Sequence, residues 1–361
     1  MDNKPRVLHL IQSLSNGGCE NMLLRTLPLV NLFDHEIITL KSEGILASSF
    51  RIEGIKVTNL NSIFDLLPTV NKIHPSLVIT YLFHADFWGR ILLGNLTNCR
   101  IIPFLRTTYN YPRYLPIRIF ERLTSFFVKN YLANSESVKK FYVTKLGVKA
   151  DKITVIPNGI DLKKYRKSNI IRSRYRNHFH ITNTDKVIVC VANLLPNKGH
   201  KYLLQAFDEV YKKHPGVWLF LVGDGEMHTT LEKQIANYPS RSRVLFMGDR
   251  IDVSSILSAS DIFVLPTLFE GMSNAIMEAM ASSIPVITTD IPENRELIVN
   301  NYNGYLVRSQ DALILKQQLL YLISNIDIAK KAGSMGKALM SSKYNIHLLS
   351  NKLTFYLLSC I

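Results

Sequence analysis

The chain reads as an α/β protein made of two doubly wound parallel-sheet domains. Three observations predict this. Apolar runs of strand length alternate with helix-length periodic segments. That alternation breaks at one polar, basic stretch. The length, 361 residues, exceeds what one core usually serves. Near-continuous apolar strands are those buried on both faces, as parallel sheets require.

In the first half, strands are expected at "RVLHLIQSL", "HEIITL", "PSLVITYL", "RIIPFL" and "YLANS". In the second half they are expected at "KVIVCVANL", "VWLFLVG", "RVLFMG", "IFVLPT" and "PVITT". Helical patterns lie between them. In "HKYLLQAFDEVYKKHP", Leu203, Leu204, Phe207, Val210 and Tyr211 form one stripe and Pro215 follows its end. Strand–helix alternation of this kind implies doubly wound sheets. From Leu162 to Asp185 the chain is polar and basic with neither period, which reads as a boundary. The expected domains are 1–170 and 171–345, with a closing helix, 346–361, packing back on the first.

No apolar run reaches the roughly 18 residues of a membrane span. The first residues, "MDNKPRVLHLIQSL", lack a signal-peptide layout. Cys19, Cys99, Cys190 and Cys360 are scattered and form no CxxC pair. A reducing, cytoplasmic setting is expected, with neither a disulfide scaffold nor a zinc site. The net charge of +15 is uneven: residues 1–175 hold 25 Lys+Arg against 12 Asp+Glu, whereas the remainder holds 18 against 16. The first half therefore asks for an anionic partner.

In open α/β sheets ligands bind beyond the carboxyl ends of the strands, and two such sheets can face each other across a cleft. The motifs indeed follow strands. "SLSNGGCENML" follows the first, where Gly17 and Gly18 precede a helical pattern whose amides favour an anion; an isolated GG is otherwise a tight turn. "VANLLPNKGHKYLL" sets Lys198 before a helix, a place unfavourable for a cation unless an anion lies between. "LVGDGEM" offers Gly223 and Gly225. "FMGDRIDV" offers Arg250 and Ile251, against which a planar base can lie. In "LFEGMSNAIMEAMA", Ser273 or Asn274 caps a helix whose amides near Met272–Asn274 point into the cleft. Glu270 stays on the loop before that helix and Glu278 lies about a turn inside it. Carboxylates accept from vicinal hydroxyls, so a ligand bearing both phosphate and hydroxyls fits: phosphates at the amides, ribose at Glu278, sugar at Glu270. There is no GxGxxG and no Walker loop.

These motifs, with "VITYLFHADFWGR", "ANSESV" and "ITVIPNGID", resemble retaining glycosyltransferases of the GT-B fold, family 4. The resemblance runs from about Val7 to Val307 and includes the E-x7-E pattern at Glu270 and Glu278. It implies two Rossmann-like domains, an acceptor-binding one followed by a nucleotide-sugar-binding one. Glu270 then contacts the transferred sugar, Glu278 the ribose, and Lys198 the diphosphate. Gly18 approaches the diphosphate, and His84 in "YLFHADF" sits near donor sugar and acceptor. Arg106 is a further candidate for a phosphate or the acceptor. Many relatives carry an arginine five positions before the lysine; Asn193 stands there instead, and Arg250 is the candidate to compensate. The implied reaction is glycosyl transfer with retention, without a nucleophilic carboxylate and without a metal, since no D-x-D triad occurs. No cofactor is expected beyond the nucleotide-sugar co-substrate.

Residues 100–152 hold 11 Lys+Arg against 3 Asp+Glu, interleaved with Phe104, Tyr109, Tyr111, Tyr114, Phe120, Phe126, Phe127 and Tyr131. "YLPIRIFERLTSFFVKNY" reads as one amphipathic helix suited to an anionic membrane at the inner face of the plasma membrane. The expected acceptor is a glycan or lipid-linked glycan. The alternatives are a nucleotide-sugar epimerase, a soluble-acceptor synthase, or a nucleic-acid binder; the last leaves Glu270 and Glu278 unexplained, and no nucleic-acid partner is expected.

Overall fold

The computed structural model describes residues 4–94, 99–108, 115–125 and 128–361. It divides into two compact units, Met1–Gly159 with Ile346–Ile361, and Ile160–Asn345.

The first unit is built on strands β1 (Arg6–Ser13), β2 (Asp34–Ser42), β3 (Lys56–Asn59), β4 (Leu77–Tyr81), β5 (Arg100–Leu105), β6 (Tyr131–Ala133) and β7 (Ile153–Val155). They form one sheet in the order β3-β2-β1-β4-β5-β6-β7, and each neighbouring pair is parallel. Its helices are α1 (Gly18–Thr26), α2 (Ala47–Ile52), α3 (Leu66–Ile73), α4 (Leu82–Leu93), α5 (Leu115–Thr124) and α6 (Glu136–Leu146). The alternation along β1 shows why both faces must be apolar. Val7 and Ile11 join a core with Met22 and Leu23 of α1, whereas Leu8 and Leu10 join Val70 of α3 and Ala85 of α4.

The second unit carries β8 (Lys186–Val191), β9 (Val217–Val222), β10 (Val244–Phe246), β11 (Ile262–Leu265), β12 (Val286–Thr289) and β13 (Tyr305–Val307), in the order β10-β9-β8-β11-β12-β13. This sheet is also parallel throughout. Its helices are α7 (Asn169–His178), α8 (His200–Lys213), α9 (His228–Ile235), α10 (Val253–Ala259), α11 (Asn274–Ala281), α12 (Pro292–Arg295), α13 (Ala312–Ser324) and α14 (Ile326–Lys343). The last helix, α15 (Ile346–Ser359), belongs to the first unit, where Leu353, Leu357 and Cys360 join the core containing Val7.

Three expectations are corrected. The units divide at Gly159/Ile160, so a break at 170/171 is too late. The polar stretch from Leu162 to Asp185, expected to follow neither a strand nor a helix period, contains α7. The buried residue of α7 is an arginine: Arg176, 1% exposed, donates to Ala259 O, Thr182 O and Asp185 O. Arg172 and Arg176 also pair with Asp261 at 2.7 and 3.2 Å. Finally, the amphipathic helix stops at Thr124, and Tyr131 opens β6 instead of extending it.

Candidate active site

In each sheet the chain reverses its direction of winding once. The neighbours there are β1 and β4 in the first unit, β8 and β11 in the second. Connections leaving such a pair run to opposite faces, so a crevice opens beyond their carboxyl ends.

In the second unit, the loop after β8 and the loop after β11 are stitched together at this point. The Leu268 N–H donates to Asn197 O at 2.7 Å, and the Thr267 hydroxyl bonds Asn197 O at 3.1 Å and Phe269 O at 2.9 Å. Gly199 makes the approach possible. Its φ is +72°, and a β-carbon there would lie 2.0 Å from Pro266 O. The result is that Lys198 Nζ donates to Glu270 Oε1 at 2.5 Å, with side chains 18% and 14% exposed. Lys198 therefore tolerates its place ahead of α8 by taking a carboxylate as its anion.

Next to Lys198, His200 is buried, and among the described residues neither ring nitrogen has a hydrogen-bond partner. Burial, then the Lys198 ammonium, pushes its pKa down to about 4 and keeps the imidazole neutral. Behind the pair, burial pushes the Cys190 thiol up to about 12, so that cysteine is inert. The described cysteines are all free thiols.

The loop after β9 closes against the same place. The Leu194 N–H donates to Asp224 O, the Met227 N–H to Leu194 O and the Gly223 N–H to Gly248 O. A β-carbon on Gly225 would stand 2.8 Å from Leu194 O, and its own N–H is held by Asp224 Oδ1 at 2.7 Å. Ser273 caps α11, accepting from the Ile276 N–H, while Asn274 opens the helix. Met272 is buried, and so is Glu278, a turn into α11. Arg250 is engaged by its own loop. It pairs with Asp252 at 2.8 Å and meets the Tyr175 hydroxyl at 3.4 Å, and these contacts raise its pKa. In the free chain its guanidinium is thus engaged by Asp252, as the Lys198 ammonium is by Glu270. Ile251 is 93% exposed, an open apolar surface.

The other predicted residues belong to the first unit, at its own switch point. Gly18 begins α1 after an extended Gly17, and His84 is exposed in the first turn of α4. Three residues missed from the sequence join them: Glu20, Tyr81 and Asn158. Arg106 donates to Asn158 Oδ1 at 3.0 Å and lies over Phe104. Burial raises the Glu20 carboxyl, and Ser15 donates to it at 3.2 Å. Tyr81 meets His9 Nδ1 at 2.9 Å, His9 Nε2 meets His35 Nδ1 at 2.9 Å, and His35 Nε2 meets Val30 O at 2.9 Å. A carbonyl only accepts, so the chain runs one way: Tyr81 O–H to His9, His9 N–H to His35, His35 N–H to Val30. Burial lowers both histidine pKa values and keeps the relay neutral. The signal for Glu20 was its place two residues after the glycine pair. Tyr81 was masked by the apolar run it ends.

Of the aromatics expected to interleave with the basic stretch, Phe104 and Tyr131 are buried, and Phe120 packs on Phe83 and Phe87. These rings pack inward. Tyr109, Tyr111, Tyr114, Phe126 and Phe127 lie outside the described residues. Among the described residues no helix is long and apolar enough to cross a membrane.

Two Rossmann-like parallel-sheet domains, the second with a lysine–glutamate pair at its switch point, define a glycosyltransferase of the GT-B class. Residues 6–164 match the family model for Glycosyltransferase Family 4, and residues 171–338 that for Glycosyl transferases group 1. The chain belongs to the group 1, family 4 glycosyltransferases. It is 34% identical over 179 residues to the UDP-Gal:alpha-D-GlcNAc-diphosphoundecaprenol alpha-1,3-galactosyltransferase of Escherichia coli, covering 48% of this chain and 46% of that one. It is 26% identical over 247 residues to the capsular polysaccharide biosynthesis glycosyltransferase CapM of Staphylococcus aureus, covering 67% and 64%. The matches thus span less than two thirds of either relative. The fold is also that of Anabaena HepE in complex with UDP and glucose, with a TM-score of 0.88, 22% identity, and 98% and 100% of the two chains covered.

Proposed function

We propose that this chain is a retaining, metal-independent glycosyltransferase. It moves a sugar from a uridine-diphosphate donor to a lipid-linked glycan at the inner membrane face, in surface polysaccharide assembly. The observation that carries the reading is the Lys198–Glu270 pair at the second sheet's switch point, at 2.5 Å. The donor and acceptor classes follow the Escherichia coli relative, whose name specifies UDP-Gal and a diphosphoundecaprenol-linked sugar.

In this reading the free enzyme holds Lys198 on Glu270. The donor's diphosphate takes the ammonium, and the released carboxylate accepts from hydroxyls of the transferred sugar. Glu278 accepts from the ribose, the amino end of α11 at Met272–Asn274 and Gly225 line the phosphates, and Ile251 and Arg250 flank the base. In the first unit, His84 marks the crevice assigned to the acceptor, and Gly18 is the candidate for the diphosphate. The anomeric C–O bond to the diphosphate breaks while the acceptor hydroxyl bonds the same carbon on the same face. The hydroxyl proton passes to the departing phosphate oxygen. Charge grows on the leaving group, and a fixed ammonium stabilises that growth without reorganising.

The test is incubation with UDP-sugars and an undecaprenyl-diphosphate-linked acceptor, with product anomers read by NMR. An α-linked product from an α-linked donor, formed in EDTA and only with acceptor present, is expected. Inversion, or complete loss in EDTA restored by Mn²⁺, contradicts the mechanism. Interconversion of donor sugars without transfer indicates an epimerase.

A further inference from the structure

Helix α5 has two faces with opposite fates. Its inner face is clamped to the first unit. Phe120 sits 5.6 and 4.7 Å from the rings of Phe83 and Phe87. Glu121, 1% exposed, lies 2.8 Å from the buried Arg90 guanidinium, which also donates to the Thr124 hydroxyl at 2.7 Å. Its outer face carries Leu115, Ile119 and Leu123, which are 54%, 51% and 69% exposed. Spaced four apart, they form one stripe. Single exposed aliphatic residues need no explanation, but three in line on a helix anchored from behind do.

The surroundings say what covers them. Arg122 donates to Lys145 O at 2.8 Å, bringing the end of α6 beside α5. Arg122, Lys140 and Lys145 are exposed, within a stretch of 11 Lys+Arg against 3 Asp+Glu. Three aliphatic side chains offer far less than the roughly 1,200 Å² of a stable protein interface. A cation-flanked apolar stripe is instead what lies in the headgroup region of an anionic bilayer.

We propose that α5 is the membrane-docking element of this protein, seating Leu115, Ile119 and Leu123 in an anionic lipid surface with Arg122 and Lys145 among the headgroups. This deepens the membrane part of the function proposed above. It replaces an aromatic docking surface with an aliphatic one.

The test is sedimentation of the full chain with phosphatidylcholine vesicles and with phosphatidylglycerol-rich vesicles. The wild type pellets with the anionic vesicles, and less so at high salt. Leu115→Ser/Ile119→Ser/Leu123→Ser weakens partitioning by about tenfold or more, and Lys145→Gln by about fivefold. The comparison variant is Phe355→Ser/Leu358→Ser on the outer face of α15, where the residues are 72% and 45% exposed and Lys352 is the lone Lys or Arg; it leaves partitioning unchanged. UDP affinity and turnover on a detergent-dispersed acceptor stay at wild-type levels in every variant, so failure of docking and failure of the catalytic reading are distinguishable. Equal binding to neutral vesicles, or equal loss in the α15 variant, overturns the proposal. A wild-type dimer that dissociates in the triple variant assigns the stripe to a second copy of the chain instead.

Discussion

The two sheets open the same kind of crevice and fill it differently. At the β8/β11 switch point the chain places a formed ion pair, Lys198 with Glu270. At the β1/β4 switch point it places Tyr81, the last residue of β4, backed inside the sheet by the neutral, hydrogen-bonded His9 and His35. Topology makes the crevice; the residues filling it decide the ligand. A charge pair in a half-sequestered place suits a diphosphate, whose charge grows during reaction. The neutral relay is satisfied internally, from Tyr81 through to Val30 O, and so supports the first crevice without adding a charge to it.

The comparison breaks first at Lys198. Lys198→Ala is expected to lower kcat by roughly 10²–10³, whereas Tyr81→Phe, which keeps the ring and removes the donor, changes it far less. Steady-state rates on donor and acceptor check this. A loss at Tyr81 as large as at Lys198 would erase the distinction drawn between the two crevices.

Second in size is the backbone that holds the charged crevice. Gly199→Ala forces a side chain into a left-handed conformation and against Pro266 O. A destabilisation of roughly 2–4 kcal/mol is expected in thermal or urea unfolding. Gly54→Ala provides the contrast: its φ is +78°, yet no atom lies within 4 Å of an added β-carbon, so it costs about 1 kcal/mol.

Acidity sharpens the contrast in opposite directions. His9 and His35 have folded pKa values below the unfolded value of about 6.5. Their contribution is present above that pH and is lost as pH falls through the depressed folded values. Glu121 runs the other way. Burial, against the opposing pull of Arg90, lifts its carboxyl to about 8. Its contribution is complete below the unfolded value of about 4.3 and gone once pH has risen through the folded one. In the second unit the shifted imidazole and carboxyls, His200 depressed to about 4 and Asp208, Asp224, Asp252 and Asp290 lowered, all lose their contribution on acidification. Hydrogen exchange followed between about pH 4 and 8, unit by unit, should show a decline with rising pH confined to the first unit, and Glu121→Gln should remove much of it, leaving the part due to Glu20.

How much of this was legible in the sequence follows from where side chains are buried. The ten strands expected from apolar runs are all present. The three that were missed, β3, β7 and β13, are edge strands. An edge strand is short and packs less completely, so "KVTN", "ITV" and "YLV" carry no long apolar run. Helix α7 escaped notice because its buried side is arginine: Arg176 satisfies carbonyl oxygens where another helix would bury leucine. Charge patterning found the basic stretch but misassigned its surface, since Phe104, Phe120 and Tyr131 turned inward and left Leu115, Ile119 and Leu123 outside. At the candidate site, the strand-then-loop order placed Lys198 and Glu270 beyond adjacent strands. Their direct contact was not readable, because it depends on the β8–β11 pairing of segments some seventy residues apart. For the same reason the Tyr81–His9–His35 relay had no signature: each residue comes from a different strand.

The smallest expected effect is the most direct test of the central claim, that Glu270 occupies Lys198 until a diphosphate displaces it. The measurement is UDP affinity of Glu270→Gln by calorimetry, beside its turnover. Removing the competing carboxylate frees the ammonium, so UDP should bind about fivefold tighter, on the order of 1 kcal/mol, while transfer falls steeply. Unchanged or weaker UDP binding in that variant would contradict the account.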